Sequence, residues 1–304
     1  MDAVSDDRRH GLCLIVFLGS VFSPYYAAAR RRKGARADPL EHCAFNISLA
    51  SPRARWSMTE RPRSNLQVDA GRIAIGRSSL AHRDGQYVFE FDELCSPLPQ
   101  RVRGRATLTP LIEPGLRYAL DEAGAHWWMP LAPRARIEVE LQRPQLRWSG
   151  EAYLDSNRGC RPLESDFNGW EWSRSIGAGS PRVYYTTRHR REAGRALALE
   201  FRADGQVTEL AGAAAQPLAR TRWGIRRTAH GDASRPTRLI DTWVDAPFYA
   251  RSLLASGTAD QTMHTVHESL DLDRFARRWV QGLLAFRMPR WAAQRAPSGP
   301  RPAS

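Results

Sequence analysis

The chain has 304 residues and a mass of 34.3 kDa, with 42% hydrophobic and 9% aromatic content, enough apolar material for one large or two ordinary cores and too much for wholesale disorder. Its 45 Lys+Arg against 32 Asp+Glu give a formal charge of +13, and Lys33 is the only lysine. A basic balance of this size points to nucleic acid, an anionic membrane surface or an acidic substrate, and composition alone leaves all three open.

From the N-terminus, the most apolar run covers residues 12–22 and is broken by Gly19 and Ser20, short of the roughly 18 to 20 residues a membrane helix needs. With Arg8 and Arg9 before it and Ala27, Ala28 and Ala29 after it, the run has the outline of a secretory signal. Cys13, Cys43, Cys95 and Cys160 are too far apart for a Cys-x-x-Cys pair, which argues against a zinc ribbon or a redox dithiol and for reduced thiols in a cytosolic setting.

Apolar residues then recur mostly with period two. Ile73 and Ile75 alternate with polar neighbours, and Asp84-Gly85 separates them from Tyr87, Phe89 and Phe91, which predicts a hairpin. Val102, Ala106 and Leu108, then Ile137, Val139 and Leu141, then Leu146, Trp148, Ala152 and Leu154 continue the alternation between Pro and Gly breaks. Leu197, Leu199 and Phe201 lead through Asp204-Gly205 to Val207 in the same way. Both turns continue into Gln, at Gln86 and Gln206, a faint sign of two related β units. Helical spacing appears late, with Leu272, Phe275, Trp279, Leu283 and Phe286 at steps of three and four, and predicts one amphipathic helix packed on the fold. Residues 292–304 carry nothing apolar beyond alanine and proline and are expected to be a disordered tail. Many short strands with one late helix predict an all-β chain, better suited at this length to two barrels or sandwiches than to one.

Common catalytic signatures are missing. Gly177-Ala178-Gly179-Ser180 lacks the ending of a phosphate loop, and neither a Gly-x-Ser-x-Gly elbow nor a dinucleotide fingerprint is present. His264-Thr265-Val266-His267-Glu268 would face two imidazoles to a metal only on a helix, and its β-branched centre favours a structural strand end. Arg188-His189-Arg190-Arg191 has no recognition helix or aromatic platform beside it and is read as a solvated loop, not a nucleic-acid contact.

One constellation stands apart. Side chains at i and i+2 of a strand share a face, so Tyr153 pairs with Asp155 and His126 with Trp128. If both faces look into a barrel, an acid, a phenol, an imidazole and an indole converge in an apolar cavity. The bland reading is that Asp155 caps a turn at residues 156–159 and that the aromatics are core.

These residues, together with Gly19-Ser20-Val21-Phe22-Ser23-Pro24-Tyr25-Tyr26, His42-Cys43-Ala44-Phe45-Asn46, Met58-Thr59-Glu60-Arg61, His126-Trp127-Trp128-Met129-Pro130, Tyr153-Leu154-Asp155-Ser156-Asn157, Trp170-Glu171-Trp172-Ser173-Arg174, Pro247-Phe248-Tyr249-Ala250-Arg251-Ser252 and His267-Glu268-Ser269-Leu270, resemble the carotenoid 1,2-hydratase (hydroxyneurosporene synthase) family of photosynthetic bacteria. The resemblance runs over residues 17–291. It implies two lipocalin-like β-barrel halves, 19–160 with the site and 161–291 with the helix, and no metal or organic cofactor. It places activity on His126, Trp128, Tyr153 and Asp155, with Ala152 where the family has glycine. Because the Gly-Ser-Val-Phe-Ser-Pro-Tyr-Tyr motif belongs to the family's folded core, export is not expected.

The implied reaction, that of a hydro-lyase, adds water across the terminal C1=C2 bond of an acyclic carotene such as neurosporene or lycopene, in spheroidene- or spirilloxanthin-type biosynthesis. An isolated alkene is a weak base, so the hard step is protonation of C2, with Asp155 the expected acid. A free Asp titrates near 3.9, and keeping it protonated at pH 7 takes a shift of about three units, roughly 4 kcal/mol, which an apolar cavity can supply. Trp128, with Trp127 or Tyr153 in support, is expected to stabilise the tertiary cation at C1. His126 is assigned to orienting Asp155 or accepting a proton from the attacking water. A non-catalytic carotenoid or lipid carrier, or another cofactor-free terpenoid cyclase or isomerase, fits the same cavity. The positive charge then suits peripheral contact with an anionic membrane surface, on the cytoplasmic side of the inner or photosynthetic membrane, with Arg277, Arg278, Trp279, Arg287, Arg290 and Trp291 as a candidate contact.

Overall fold

A computed structural model describes residues 1–50, 54–177, 179–211, 213–232, 236–257 and 262–290. Trp291 and the expected tail at 292–304 lie outside the described residues. The fold is mostly β, as the alternation predicts, and divides into two compact units that interleave along the chain. The first comprises 1–110, 136–152 and 281–290, the second 111–135 and 153–280.

In the first unit, strands Asp2–Ser5, Gly11–Phe17, Cys43–Ala50 and Arg55–Arg61 pair antiparallel in chain order. So do Leu66–Asp69, Arg72–Ile75, Ser78–Arg83, Gln86–Leu94 and Arg101–Ile112. These two runs flank the long strands His126–Arg143 and Gln145–Gly159 in a nearly closed barrel sheet. Val102, Ala106 and Leu108, and Ile137, Val139 and Leu141, point inward and are buried, as their period requires. The Asp84-Gly85 turn, with φ of 52 and 71, is a tight hairpin turn of the left-handed type. It joins Ser78–Arg83 to Gln86–Leu94, while the strand holding Ile73 and Ile75 pairs one step earlier, across Gly76.

The apolar run at 12–22 is not one element. Gly11–Phe17 is a strand, and a helix follows at Pro24–Lys33, where the Ser23 hydroxyl accepts from the N–H groups of Tyr25 and Tyr26 and Pro24 opens the first turn.

In the second unit a seven-stranded antiparallel sheet runs, in spatial order, Val207–Glu209, Ala196–Phe201, Arg182–His189, Phe167–Ile176, Thr262–Asp271, Tyr249–Gly257, Arg238–Asp245. The hairpin of Ala213–Leu218 and Arg227–Asp232 packs against it. The Asp204-Gly205 turn lies where the sequence predicts, between Ala196–Phe201 and Val207–Glu209. His264 to Glu268 sit mid-strand, so alternation turns the two imidazoles to opposite faces and removes the shared metal face. Arg188 bonds Glu171 and the Leu270 carbonyl, and Arg190 pairs with Asp273; these arginines hold strand ends together.

The C-terminal helical pattern resolves into two helices, Leu272–Phe275 and Arg278–Arg287. Leu272 and Phe275 are buried as expected. Leu283 and Phe286 are exposed, correcting the expectation that they pack on the fold, while Trp279, half exposed, stacks on Trp223 with ring centroids 6.1 Å apart. The face that packs instead carries Leu284, which with Met288 just beyond the helix meets Ala44 and Met58 in the first unit's core.

Candidate active site

Strand pairing brings the predicted acid group together within the second unit. The Trp128 indole N–H donates to Asp155 Oδ2 at 3.0 Å and to the Tyr153 hydroxyl oxygen at 3.2 Å, and the Tyr153 O–H donates to the same Asp155 oxygen at 3.3 Å. Trp128 and Tyr153 are fully buried and Asp155 is partly so. The strand continues to Gly159, so Asp155 does not cap a turn. Around this triangle the rings close in: Tyr118 and Tyr185 lie 5.4 and 5.5 Å from Trp128, Trp172 lies 5.0 Å from Tyr153, and the Arg174 guanidinium stands 5.9 Å from the Tyr153 ring. Burial pushes the Tyr185 phenol above its usual range and keeps it neutral, with the acidic side chain of Glu268 adding to the shift.

His126 belongs to a neighbouring assembly. Its Nε2 lies 2.8 Å from Asp166 Oδ2, and the backbone N–H groups of Ala125 and His126 donate to Asp121 Oδ1 at 2.8 and 3.2 Å. Arg161 donates from Nε to Asp166 at 3.0 Å and lies 3.6 Å from Asp121. A Cβ on Gly159 would stand 2.6 Å from His126 Nδ1, so the glycine makes room for the ring. His126, expected to orient Asp155 or to accept a proton from the attacking water, gives its Nε2 to Asp166, and its Nδ1 has no hydrogen-bond partner among the described residues. Trp127, expected in support of Trp128, points elsewhere. Strand alternation turns it away from Trp128, and its indole N–H donates to the Gly124 carbonyl at 2.7 Å while Arg117 covers the ring.

The family profile described as carotenoid hydratase CrtC matches residues 14–297. The chain belongs to the carotenoid hydratase family. It is 46% identical, over 95% of its length and 72% of the relative's, to an acyclic carotenoid 1,2-hydratase of Thiocapsa roseopersicina. It is 45% identical, over 96% and 72%, to one of Rubrivivax gelatinosus, and 35% identical, over 91% and 98%, to one of Cereibacter sphaeroides. Among solved structures it is similar in fold to an AttH protein of Nitrosomonas europaea (TM-score 0.60, 12% identity, 88% of this chain and 89% of the other). CghA with Sch210972 is a second such structure (TM-score 0.57, 12% identity, 91% and 88%).

In this hydratase fold the other motif residues do structural work. Glu60 is wholly buried against His42 and Arg290, and Arg61 bonds Glu93 at 2.6 Å in the first unit. Asp121, His126 and Asp166 bring ligand-type atoms within 4.8 Å of one another, but Arg161 already supplies a cation to both carboxylates, so the donor set has a resident counter-charge.

Sequence reasoning missed one ionisable cluster, on the face of the second unit's sheet opposite Trp172. Glu171 accepts from Ser269 and Arg188, and His267 Nε2 lies 3.1 Å from the Thr228 carbonyl and 3.4 Å from Glu171. Burial pushes Glu171 up to about 7 against those hydrogen bonds, and burial drives His267 down to about 4, with Arg227 and His230 adding to the shift. The residues are 96 apart in sequence and meet only through the pairing of Phe167–Ile176 with Thr262–Asp271, which no local pattern announces.

Proposed function

We propose that this protein adds water across the terminal C1=C2 bond of an acyclic carotene of the neurosporene and lycopene kind, as a cofactor-independent hydro-lyase of bacterial carotenoid biosynthesis. The observation that carries the reading is the half-buried Asp155 carboxyl held by Trp128 and Tyr153 inside a ring of aromatic side chains, in a chain whose relatives are named for this activity. With Oδ2 receiving both donors, the transferable proton sits on Oδ1. Its transfer to C2 consumes the alkene π pair and leaves a tertiary cation at C1. Indole and phenol faces stabilise that charge by roughly 0.5 to 2 kcal/mol per ring without forming a bond to it. Water then forms the C1–O bond and releases a proton.

Incubation with lycopene or neurosporene should yield a product heavier by one water, and the same reaction in heavy water should place one deuterium at C2. Asp155→Asn should fold normally and abolish both, and prior dialysis against a chelator should leave turnover unchanged. An unaltered carotene returned by the wild-type protein would support the carrier reading.

We also propose peripheral contact with an anionic membrane surface on the cytoplasmic side of the inner or photosynthetic membrane. Phe286, 72% exposed, shares a helix face with the exposed Leu283 and with Trp279, which stacks on Trp223, and Arg277, Arg278 and Arg287 are exposed around it.

A further inference from the structure

Hydration needs a second group, one that receives the proton of the attacking water; His126 gives its Nε2 to Asp166 and turns its Nδ1 toward Gly159. Across four adjacent strands of the second unit, Tyr185, Trp172, Glu268 and Arg251 are successive cross-strand partners. Cross-strand partners share a face, so the four stand in one row. The row's aromatic members touch the site, Tyr185 at Trp128 and Trp172 at Tyr153. Its far end is a carboxylate. Glu268 is ion-paired with Arg251, whose Nε donates to the Tyr249 hydroxyl oxygen at 3.1 Å, and the two side chains are only 17% and 7% exposed. Burying an ion pair in an aromatic face is costly, and apolar side chains would pack this face of the sheet at least as well. Beside Glu268, the Trp172 indole N–H is buried and has no acceptor among the described residues. An unsatisfied buried donor asks for an acceptor that arrives with the reactants.

We infer that Glu268, held ionised by Arg251, receives the proton of the water that captures the carotenoid cation, and that the Trp172 N–H positions that water. This rests on the hydratase reading above. Neighbouring strands about 4.8 Å apart set Glu268 two strands, or about 10 Å, from Tyr185. Trp172 stands between them in the row and touches Tyr153, so the acid group and the Glu268 carboxylate flank one aromatic side chain, as paired carboxylates flank the reacting bond in inverting hydrolysis. The balance closes. Asp155 gives its proton to C2, the water oxygen bonds C1 with a lone pair, and the water's proton passes to Glu268. The two partly exposed carboxyls then return to their starting states by exchange with solvent.

The test is turnover of an acyclic carotene in heavy water, reading both the hydrated product and the deuterium in recovered carotene. Glu268→Gln should lower hydration roughly a hundredfold while the recovered carotene gains deuterium, because the cation still forms and collapses by proton loss. Asp155→Asn should lose both signals. Trp172→Phe, which keeps the ring and removes only the donor, should shift the ratio of hydration to exchange in the direction of Glu268→Gln. Near-normal hydration in Glu268→Gln, or parallel loss of hydration and exchange in a folded Glu268→Gln protein, would overturn the inference. If Glu268→Gln does not fold, an unchanged ratio in Trp172→Phe does the same. A wild-type protein that neither hydrates nor exchanges would instead overturn the hydratase reading itself.

Discussion

The Trp128 indole N–H donates to Asp155 Oδ2 at 3.0 Å from a side chain with no exposed surface. One residue thus aims the acid and presents an aromatic face beside it, and substitutions can separate these two contributions. Trp128→Phe removes the donor and keeps a ring. Loss of one hydrogen bond of about 1 kcal/mol should lower kcat by about fivefold to tenfold. Trp128→Leu removes the ring as well, and a further 2 kcal/mol of cation stabilisation predicts at least a hundredfold loss in all. Steady-state kinetics on both variants, with thermal melts to correct for packing, measures the difference; equal losses would reduce Trp128 to a packing role.

The His126 assembly makes a different prediction, because its ring is fitted against a glycine. Gly159→Ala would place a methyl carbon 2.6 Å from Nδ1 unless the imidazole moves, and moving it strains the 2.8 Å contact with Asp166. The expected result is a stability loss of roughly 1 to 3 kcal/mol, read by chemical denaturation. An unchanged midpoint would show that the ring has slack.

Much of this site was legible because a strand's period is short. The i, i+2 rule grouped Tyr153 with Asp155 and His126 with Trp128, and the first pair with Trp128 does form the acid group. The same rule, applied strictly, would have excluded Trp127, one residue out of phase. Ser23-Pro24 carried a helix start that the apolar run before it obscured. What periodicity could not supply was partnership. The last helix carries two apolar stripes, Leu284 toward Ala44 and Met58 and Leu283 and Phe286 toward solvent, and only the tertiary fold decides which is covered. Likewise, Glu268 and Glu171 acquire their settings from strands far away in sequence, and the division of the long strands 126–143 and 145–159 between two units leaves no local mark.

The Glu171 and His267 pair predicts a pH signature. Glu171 titrates at about 7 when folded against 4.5 ordinarily, so its contribution to stability is full below about 4.5 and is lost as pH rises through about 7. His267 titrates at about 4 against 6.5, so its contribution is present above about 6.5 and is lost as pH falls through about 4. Between 4.5 and 6.5 the folded pair holds one proton, on Glu171, and the unfolded pair also holds one, on His267, so the two slopes cancel. Each substitution unmasks the other group. Relative to wild type, Glu171→Gln should gain stability from pH 4.5 to 6.5 and His267→Asn should lose it over the same window, each by roughly 3 kcal/mol. Urea denaturation at several pH values measures this; offsets that do not vary with pH would show that the pair does not exchange one proton as described.

The excess of arginine bears on the exposed helix face. Phe286 is 72% exposed, and Leu283 is exposed on the same side of Arg278–Arg287; among the described residues no helix is long and apolar enough to cross a membrane. A surface helix of this kind binds by inserting its apolar side chains while arginines meet headgroups, at about 1 kcal/mol per cation near an anionic surface. Sedimentation with vesicles containing phosphatidylglycerol should retain the protein, and neutral phosphatidylcholine vesicles should retain much less. Phe286→Asp should weaken retention on anionic vesicles roughly tenfold or more, since it removes an inserted ring and adds a repelled charge. It should leave turnover of detergent-dispersed carotene unchanged, because Phe286 is not one of the residues that form the acid group. Retention that is equal on both vesicle types, or insensitive to salt and to Phe286→Asp, would leave the +13 charge as a matter of composition rather than of membrane binding.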